Sequence, residues 1–362
     1  MAIAETIQSL TPPDRQASAR NLHHEPLLSA RPNNEPWVYT VNDLLVQKTL
    51  LSPDAPLLAY PDSLKGTDDY VHYTARDLDR FADEAAKAYI AMGVPVKVEL
   101  LLFLIANVNH FQANNTEDEV VAILAPANLD YVTTVFALSR LGYSLLLLSN
   151  RLPTVAYISL LQGTQCHRIV STKNFQKQII ETQTKWKLES FLLVPKHAYN
   201  LSHPSGPYFK RAFYGPSESE NTAFIIHSSG STGLPKPIYQ SHRSALTNYS
   251  SGIGYRAFLT LPLYHNHGMS CFFRAIYSGS EIAFFNSNLP MTSSNLIAAM
   301  EKVNPGGFHG VPYALKLLGE SKKGIELMRK CQIVMFGGSS CPDDLGDRLV
   351  KEGINLIAHY GA

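Results

Sequence analysis

Apolar residues recur three or four positions apart after Thr74, at Leu78, Phe81, Ala85, Tyr89 and Met92. That spacing predicts a helix with one apolar face. Thr74 can accept from the amide three residues on, Asp77 stands where the acid of a capping box belongs, and Gly93 can end the helix. From residue 121 the pattern changes to short continuous apolar runs alternating with helical periods. Strands are predicted at 121–124, 144–148, 223–226, 282–285, 333–336 and 355–359. Helices are predicted at 130–141, capped by Asp130 and ended at Gly142, and after Ser241. An apolar run at 259–263 leads to a helix around 269–277 that stops at Gly279. Further helices cover 294–303, ahead of Pro305, and 343–351. Short apolar runs of this kind suit parallel strands covered on both faces, and strand–helix alternation means βαβ units. In such sheets ligands bind beyond the carboxyl ends of the strands. Residues 1–36, rich in Pro, Asn and Ser without a sustained period, read as a loosely held leader.

Composition narrows the class. A chain of 362 residues exceeds the usual single domain and implies two subdomains or one large α/β unit. With 45% hydrophobic and only 17% charged residues, global disorder is excluded. The 31 Lys and Arg nearly cancel the 30 Asp and Glu, leaving +1, which argues against a nucleic-acid partner. Cys166, Cys271, Cys331 and Cys341 have no zinc-finger spacing, and so few cysteines fit a reducing compartment. No apolar run approaches the roughly 20 residues that span a bilayer, and the N-terminus lacks a basic region before an apolar core. The expectation is a cytoplasmic protein without a membrane partner.

The candidate chemistry lies directly after the strand at 223–226, in Ser228-Ser229-Gly230-Ser231-Thr232-Gly233-Leu234-Pro235-Lys236. Glycines let the backbone approach an anion, consecutive amides can form an anion-binding concavity, four hydroxyls add donors, and Lys236 supplies a positive charge. The alternative is a flexible Ser/Gly surface turn. Nine ordered positions ending in Pro-Lys favour phosphate binding. The spacing is not that of a Walker A loop, which disfavours a kinase-like NTPase.

These residues resemble the phosphate loop of the adenylate-forming superfamily, which comprises acyl- and aryl-CoA synthetases, non-ribosomal peptide adenylation domains and luciferases. Three further segments are similar to that family in the same order. PLYHNHGM at 262–269 resembles the segment whose histidine lies beside the carboxylate and α-phosphate. FGGSS at 336–340 resembles the strand–turn lining the acyl and adenine pockets. HYG at 359–361 resembles the start of the motif whose tyrosine packs on adenine. The likeness runs from about Thr40 to the C-terminus. Within the superfamily, the stretches at 61–86 and 137–153 are most similar to adenylation domains of fungal NRPS-like carboxylate reductases.

The resemblance implies an α/β fold of two mostly parallel sheets layered with helices, the large N-terminal part of the adenylate-forming fold without its small C-terminal domain. The AMP-binding domain would occupy 37–362, with possible subdomains 37–215 and 216–362. The implied reaction is attack of a small carboxylic acid on the α-phosphorus of ATP, with Mg2+, giving acyl-AMP and pyrophosphate, in secondary metabolism. A carrier protein or CoA would take the acyl group. Ser229, Ser231, Thr232, Gly233 and Lys236 would hold the β- and γ-phosphates, with Gly230 and Ser228 completing the loop, although Ser228 also reads as a strand end. His265 and Lys236 are the catalytic candidates. His265, His267, His309, Gly310 and Val311 would line the acyl side. Gly337, Gly338, Ser339, Tyr360 and Gly361 would face the nucleotide. For each there is a structural reading: a satisfied histidine, a strand-ending turn, a core aromatic. The His265/His267 pair has the spacing of metal ligands, but the sequence offers no third ligand, so no protein-held metal is expected.

Two departures stand out. The chain stops at Ala362, before the Thr and Glu that follow Tyr-Gly in the superfamily and meet the α-phosphate and magnesium. A catalytically impaired remnant that binds nucleotide or a partner protein is therefore the alternative. Also, an apolar run at 100–106 stands where relatives have a short polar loop. Within 98–112, Val-Glu, Ala-Asn and Phe-Gln can be read as splice donor, branch and acceptor signals, so a retained intron is weighed against a buried extra strand.

Overall fold

The apolar runs pair into two sheets. The structure is a computed structural model that describes residues 38–96, 119–209, 215–228, 233–252 and 254–360. The leader at 1–36 and the insertion at 98–112 lie outside the described residues. One sheet has six strands: β3 Val120–Leu124, β4 Ser144–Leu147, β5 Arg168–Ser171, β6 Glu189–Leu192, β7 Thr222–His227 and β8 Pro237–Ser241, in the order β6-β5-β3-β4-β7-β8. The other joins β1 Pro56–Pro61 and β2 Tyr70–Thr74 to β9 Ala257–Leu259, β10 Ile282–Phe284, β11 Gly307–Gly310, β12 Ile333–Gly337 and β13 Leu356–His359, in the order β13-β12-β11-β9-β10-β1-β2. The β1–β2 and β7–β8 pairs are antiparallel and the remaining pairs are parallel. A cut at 215/216 falls between β6 and β7, inside the six-stranded sheet, and β1 and β2 pair into the sheet built from the last third of the chain.

The helices that matter for packing are α1 (Val41–Leu51), α2 (Ala75–Ala91), α3 (Leu129–Arg140), α4 (Thr154–Gly163), α5 (Gln176–Gln183), α6 (His242–Tyr249), α7 (Asn266–Ser278), α8 (Ser293–Val303), α9 (Pro312–Gly319), α10 (Lys322–Lys330) and α11 (Asp343–Lys351). Alternation along the strands assigns them to layers. In β3, Val121 and Ile123 enter a core shared with α1, α2, α3, α6 and α7, whereas Val120, Ala122 and Leu124 pack with Tyr157, Leu160 and Ile179 of α4 and α5. In the larger sheet, Phe258, Phe308, Val334 and Phe336 face Met300, Leu315, Met328 and Leu349 of α8 to α11. Both sheets are therefore covered on both faces and share one helical layer. Among the described residues no helix is long and apolar enough to cross a membrane.

Local signals explain most boundaries. The capping box of α2 is present: Asp77 N–H donates to Thr74 Oγ1 at 3.2 Å and Thr74 N–H donates to Asp77 Oδ2 at 3.0 Å. For α3 the cap differs from expectation. Asn128, still extended, accepts from Tyr131 N–H at 2.9 Å, while Asp130, already in the first turn, accepts from Tyr199 Oη at 2.6 Å. The segment after the glycine loop also differs. Helix α6 does start after Ser241, but β8 comes first and folds back on β7, with His227 opposite Pro237. As an edge strand β8 tolerates a proline at its start.

A buried ion network fixes α2 against α3. Arg140, 1% exposed, donates from Nη2 to Asp79 Oδ1 at 2.5 Å and from Nε to Asn42 Oδ1 at 3.1 Å, with Asp83 Oδ1 3.7 Å from Nη1. Replacing it leaves the Asp79 carboxylate in the interior without its cation, while Asp83 keeps Lys87 at 2.8 Å. Arg140→Met is expected to cost about 3–5 kcal/mol of unfolding free energy, read from urea denaturation.

A second tie joins the ends of β4 and β7. His227 Nε2 accepts from Ser149 N–H at 3.2 Å, so the ring proton sits on Nδ1, 3.1 Å from the Ser228 carbonyl. Burial holds the pKa below its ordinary 6.5, opposed by the bond to Ser228. Protonation would set Nε2–H against the Ser149 amide. A group with a lowered folded pKa stabilises fully above its unfolded value and loses that contribution as pH falls through the folded value. The urea midpoint is thus expected to fall below about pH 6.5, and to fall less in His227→Gln, which keeps an acceptor but does not titrate.

Candidate active site at the strand ends

The glycine- and hydroxyl-rich loop is the tip of the β7–β8 hairpin. Its base is closed twice: Ser228 N–H donates to the Lys236 carbonyl at 3.0 Å, and Lys236 N–H donates to Ser228 Oγ at 2.9 Å. Ser228 therefore has a structural task. Gly233 has φ +151°, and Gly233 and Lys236 are exposed. Ser229, Gly230, Ser231 and Thr232 lie outside the described residues, as does Gly361.

The second part is the start of α7. His265 takes the N-cap position with extended backbone, φ −108°, and makes no side-chain cap, so the first-turn amides lack a capping side chain. Such a helix end favours anions. The His265 ring lies 6.1 Å from that of His227, and Gln240 Nε2 of β8 donates to Asn266 Oδ1 at 3.0 Å, which ties the hairpin to this helix. His265 is solvent-exposed by area, yet desolvation by the groups packed around its ring, then His227 and Arg151, push its pKa down to about 4, so the imidazole is neutral at pH 7.

The third part is the carboxyl edge of the larger sheet. In register, His309 of β11 lies opposite Leu259 and Met335, Gly310 opposite Phe336, and Gly337 opposite His359. The Thr260 hydroxyl donates to the His309 carbonyl at 3.1 Å. His267, in the first turn of α7, stacks on His359 with ring centroids 4.5 Å apart. Gly337 is required by close approach: a Cβ there would sit 2.7 Å from the His359 carbonyl and 2.8 Å from His267 Nδ1. Gly338 follows with φ +83°, a conformation that favours glycine.

The structure thus gathers His265, His267, His309, Gly310, Gly337 and the base of the Ser228–Lys236 loop at neighbouring strand ends. Val311 is half-buried at the start of α9 and Ser339 is exposed. Tyr360, expected to pack on a ring, is 94% exposed. Sequence reasoning missed His227, which ends an apolar strand and reads as its last residue. It also missed His359, present in a quoted segment but given no role. Cys271, set aside with the other cysteines for lack of zinc-finger spacing, stands one helical turn after His267 and joins His267 and His309. His265 is not part of that group, so the His265/His267 spacing does not itself mark a ligand set.

The family described as AMP-binding enzyme matches residues 109–362. An adenylate-forming reductase of Aspergillus terreus is 26% identical over 264 residues, covering 68% of this chain and 24% of that protein. A carboxylic acid reductase of Neurospora crassa is 24% identical over 259 residues, covering 65% of this chain and 24% of its own. The chain therefore spans about a quarter of the length of these fungal relatives. Among solved structures, the anthranilate CoA ligase AuaEII in complex with anthranoyl-AMP superposes with TM-score 0.69 at 18% identity, over 92% of this chain and 61% of that one. The o-succinylbenzoate CoA synthetase of Bacillus subtilis with its acyl-adenylate superposes with TM-score 0.65 at 18% identity, over 86% of this chain and 57% of that one. The expected fold and the expected kinship with fungal adenylate-forming reductases are both met, and the chain belongs to the AMP-binding enzyme family.

Proposed function

We propose that the chain binds MgATP and a small carboxylic acid across these strand ends and promotes attack of the carboxylate on the α-phosphorus, releasing pyrophosphate and forming acyl-AMP. The observation that carries this reading is the meeting of the closed hairpin loop, the uncapped start of α7 and the Gly337–Gly338 turn at adjacent carboxyl edges. In this reading the loop from Ser228 through Ser229, Gly230, Ser231, Thr232 and Gly233 to Lys236 holds the β- and γ-phosphates. Neutral His265 donates a hydrogen bond to the reacting oxygens, and the α7 amides favour the negative charge that builds there. The acyl group lies toward His267, His309, Gly310 and Val311. The adenine lies along Gly337, Gly338 and Ser339, with Tyr360 and Gly361 closing over it. The acceptor is CoA or a carrier protein, and the setting is fungal-type secondary metabolism in the cytoplasm. The named activities of the fungal reductases and of a 2-succinylbenzoate–CoA ligase from Enterococcus faecalis, 27% identical over 180 residues, support a carboxylate substrate.

Exchange of labelled pyrophosphate into ATP with a panel of carboxylic acids tests the reading. Exchange dependent on one acid class is expected. Lys236→Ala removes a charge-assisted phosphate contact worth about 1.5–3 kcal/mol, so the apparent ATP affinity should fall roughly 10- to 100-fold. His265→Ala should lower kcat for exchange by about 100-fold, as loss of an oxyanion donor does. ATP binding without exchange for any acid would reject catalysis by this chain and favour a nucleotide-binding remnant. Unchanged ATP affinity in Lys236→Ala would reject its assigned role.

A further inference from the structure

Three potential metal-ligating side chains meet where α7 crosses the larger sheet. His267 and Cys271 are one helical turn apart on α7, and His309 comes from β11. One ligand atom from each lies within 4.8 Å of the other two. Strand parity explains the meeting. Phe308, Val334 and Phe336 face the outer helices, so His309 and its register partner Met335 face α7.

Two observations point to an occupant. First, Cys271 Sγ and His309 Nδ1 share a hydrogen bond at 3.5 Å, a separation that a bound ion could take over without moving either atom. With Zn–S of about 2.3 Å and Zn–N of about 2.0–2.1 Å, a tetrahedral angle puts sulfur and nitrogen about 3.6 Å apart. Second, both ring nitrogens of His267 are buried without a hydrogen-bond partner among the described residues. An imidazole with neither nitrogen satisfied is costly inside a protein. The cluster borders a small cavity lined by Tyr255, Ala257, Cys271, Arg274, His309 and Met335, and the Tyr255 hydroxyl is also buried without a partner among the described residues.

We propose that His267, Cys271 and His309 form a binding site for a thiophilic divalent cation, zinc above all, with a fourth coordination position open to the cavity. A thiolate with two imidazoles selects zinc over magnesium, which prefers oxygen ligands, so this site is separate from the ion that accompanies ATP. Binding converts the thiol to thiolate and releases its proton to solvent. Burial pushes the Cys271 thiol up to about 12, and Arg274 acts in the opposite direction. Burial comes first in lowering His267 to about 4, ahead of His359 and Arg274, and His309 to about 3, ahead of His267, Arg274 and His359. The imidazoles are thus neutral, as coordination requires. The Arg274 guanidinium is held by Asn248 through its carbonyl at 3.1 Å and its Oδ1 at 2.5 Å. Its charge favours the thiolate while opposing the cation.

The site does not rest on the adenylation reading, and its test reads metal rather than catalysis. The tag-free chain, stripped with a chelator, is titrated with zinc in competition with a chromophoric chelator, and separately with cobalt(II). One equivalent of each is expected, and cobalt should give a thiolate-to-metal charge-transfer band with tetrahedral d–d bands. Cys271→Ser should abolish the charge-transfer band. His267→Gln and His309→Gln should each weaken zinc by more than the roughly 10- to 100-fold that losing an outer-shell partner costs. Because a substitution at a buried position can abolish folding outright, the native chain alone also decides. No charge-transfer band at one equivalent of cobalt overturns the proposal, as does a band that survives in folded Cys271→Ser.

Discussion

Covering both faces of both sheets leaves the strand ends as the place where this chain can present chemistry. Val121 and Ile123 face one helical layer while Ala122 and Leu124 face another, and the larger sheet is sealed in the same way by Phe258, Phe308 and Val334. Polar groups along the middle of such strands would be stranded without partners. Three histidines stand at or next to the carboxyl ends: His227 closes β7, His309 precedes the last residue of β11, and His359 closes β13. Because the two sheets share the layer that contains α7, the start of this helix meets the ends of both, through His227 and Gln240 on one side and through Gly337 and His359 on the other.

That arrangement also sets the charge of the site. Burial is the first cause of every lowered histidine pKa along the edge, and neighbouring imidazoles and arginines add to it at His265, His267 and His309. The buried acids Asp79 and Asp83 are held away from the edge, Asp79 by Arg140 and Asp83 by Lys87 and Arg140. What remains at the strand ends is a row of neutral donors and acceptors with Arg151 and Arg274 nearby, a field suited to carboxylate and phosphate groups. The same field opposes a cation unless a proton leaves with its arrival. Cys271 is the group in that row able to release one and keep a compensating negative charge beside the metal.

Features set by local chemistry were legible in the sequence. The Thr74–Asp77 box, the Ser241 start, the stop at Gly279 and the alternation after residue 121 each depend on neighbours within a few residues, and each appears as read. Asp130 was mistaken for a cap because Asn128 and Asp130 both suit the position, and backbone conformation decides between them. Strand β8 was hidden by its opening Pro237 and its exposed Ile238 and Tyr239, which give no buried-strand pattern. The candidate site was legible in part. Segments of contiguous sequence pointed to the loop and to His265. The contacts of His227 with Ser149 and of Cys271 with His309 join residues far apart in the chain, and no period or spacing encodes them.

The turn at Gly337 and Gly338 links the two ends of this edge mechanically. Without a side chain, Gly337 lets His267 lie between the turn and the His359 ring. Any larger residue would collide with the ring of His267 or the carbonyl of His359. Next, φ +83° at Gly338 turns the chain away before α11. A close-packed interior does not deform continuously, so His267 cannot shift without moving that turn, the stacked His359 ring or the first turn of α7 that carries it. The turn assigned to the nucleotide, the helix start assigned to the carboxylate and the His267–Cys271–His309 cluster therefore share one packing contact. A ligand that fixes the His267 ring would also fix the backbone beside it.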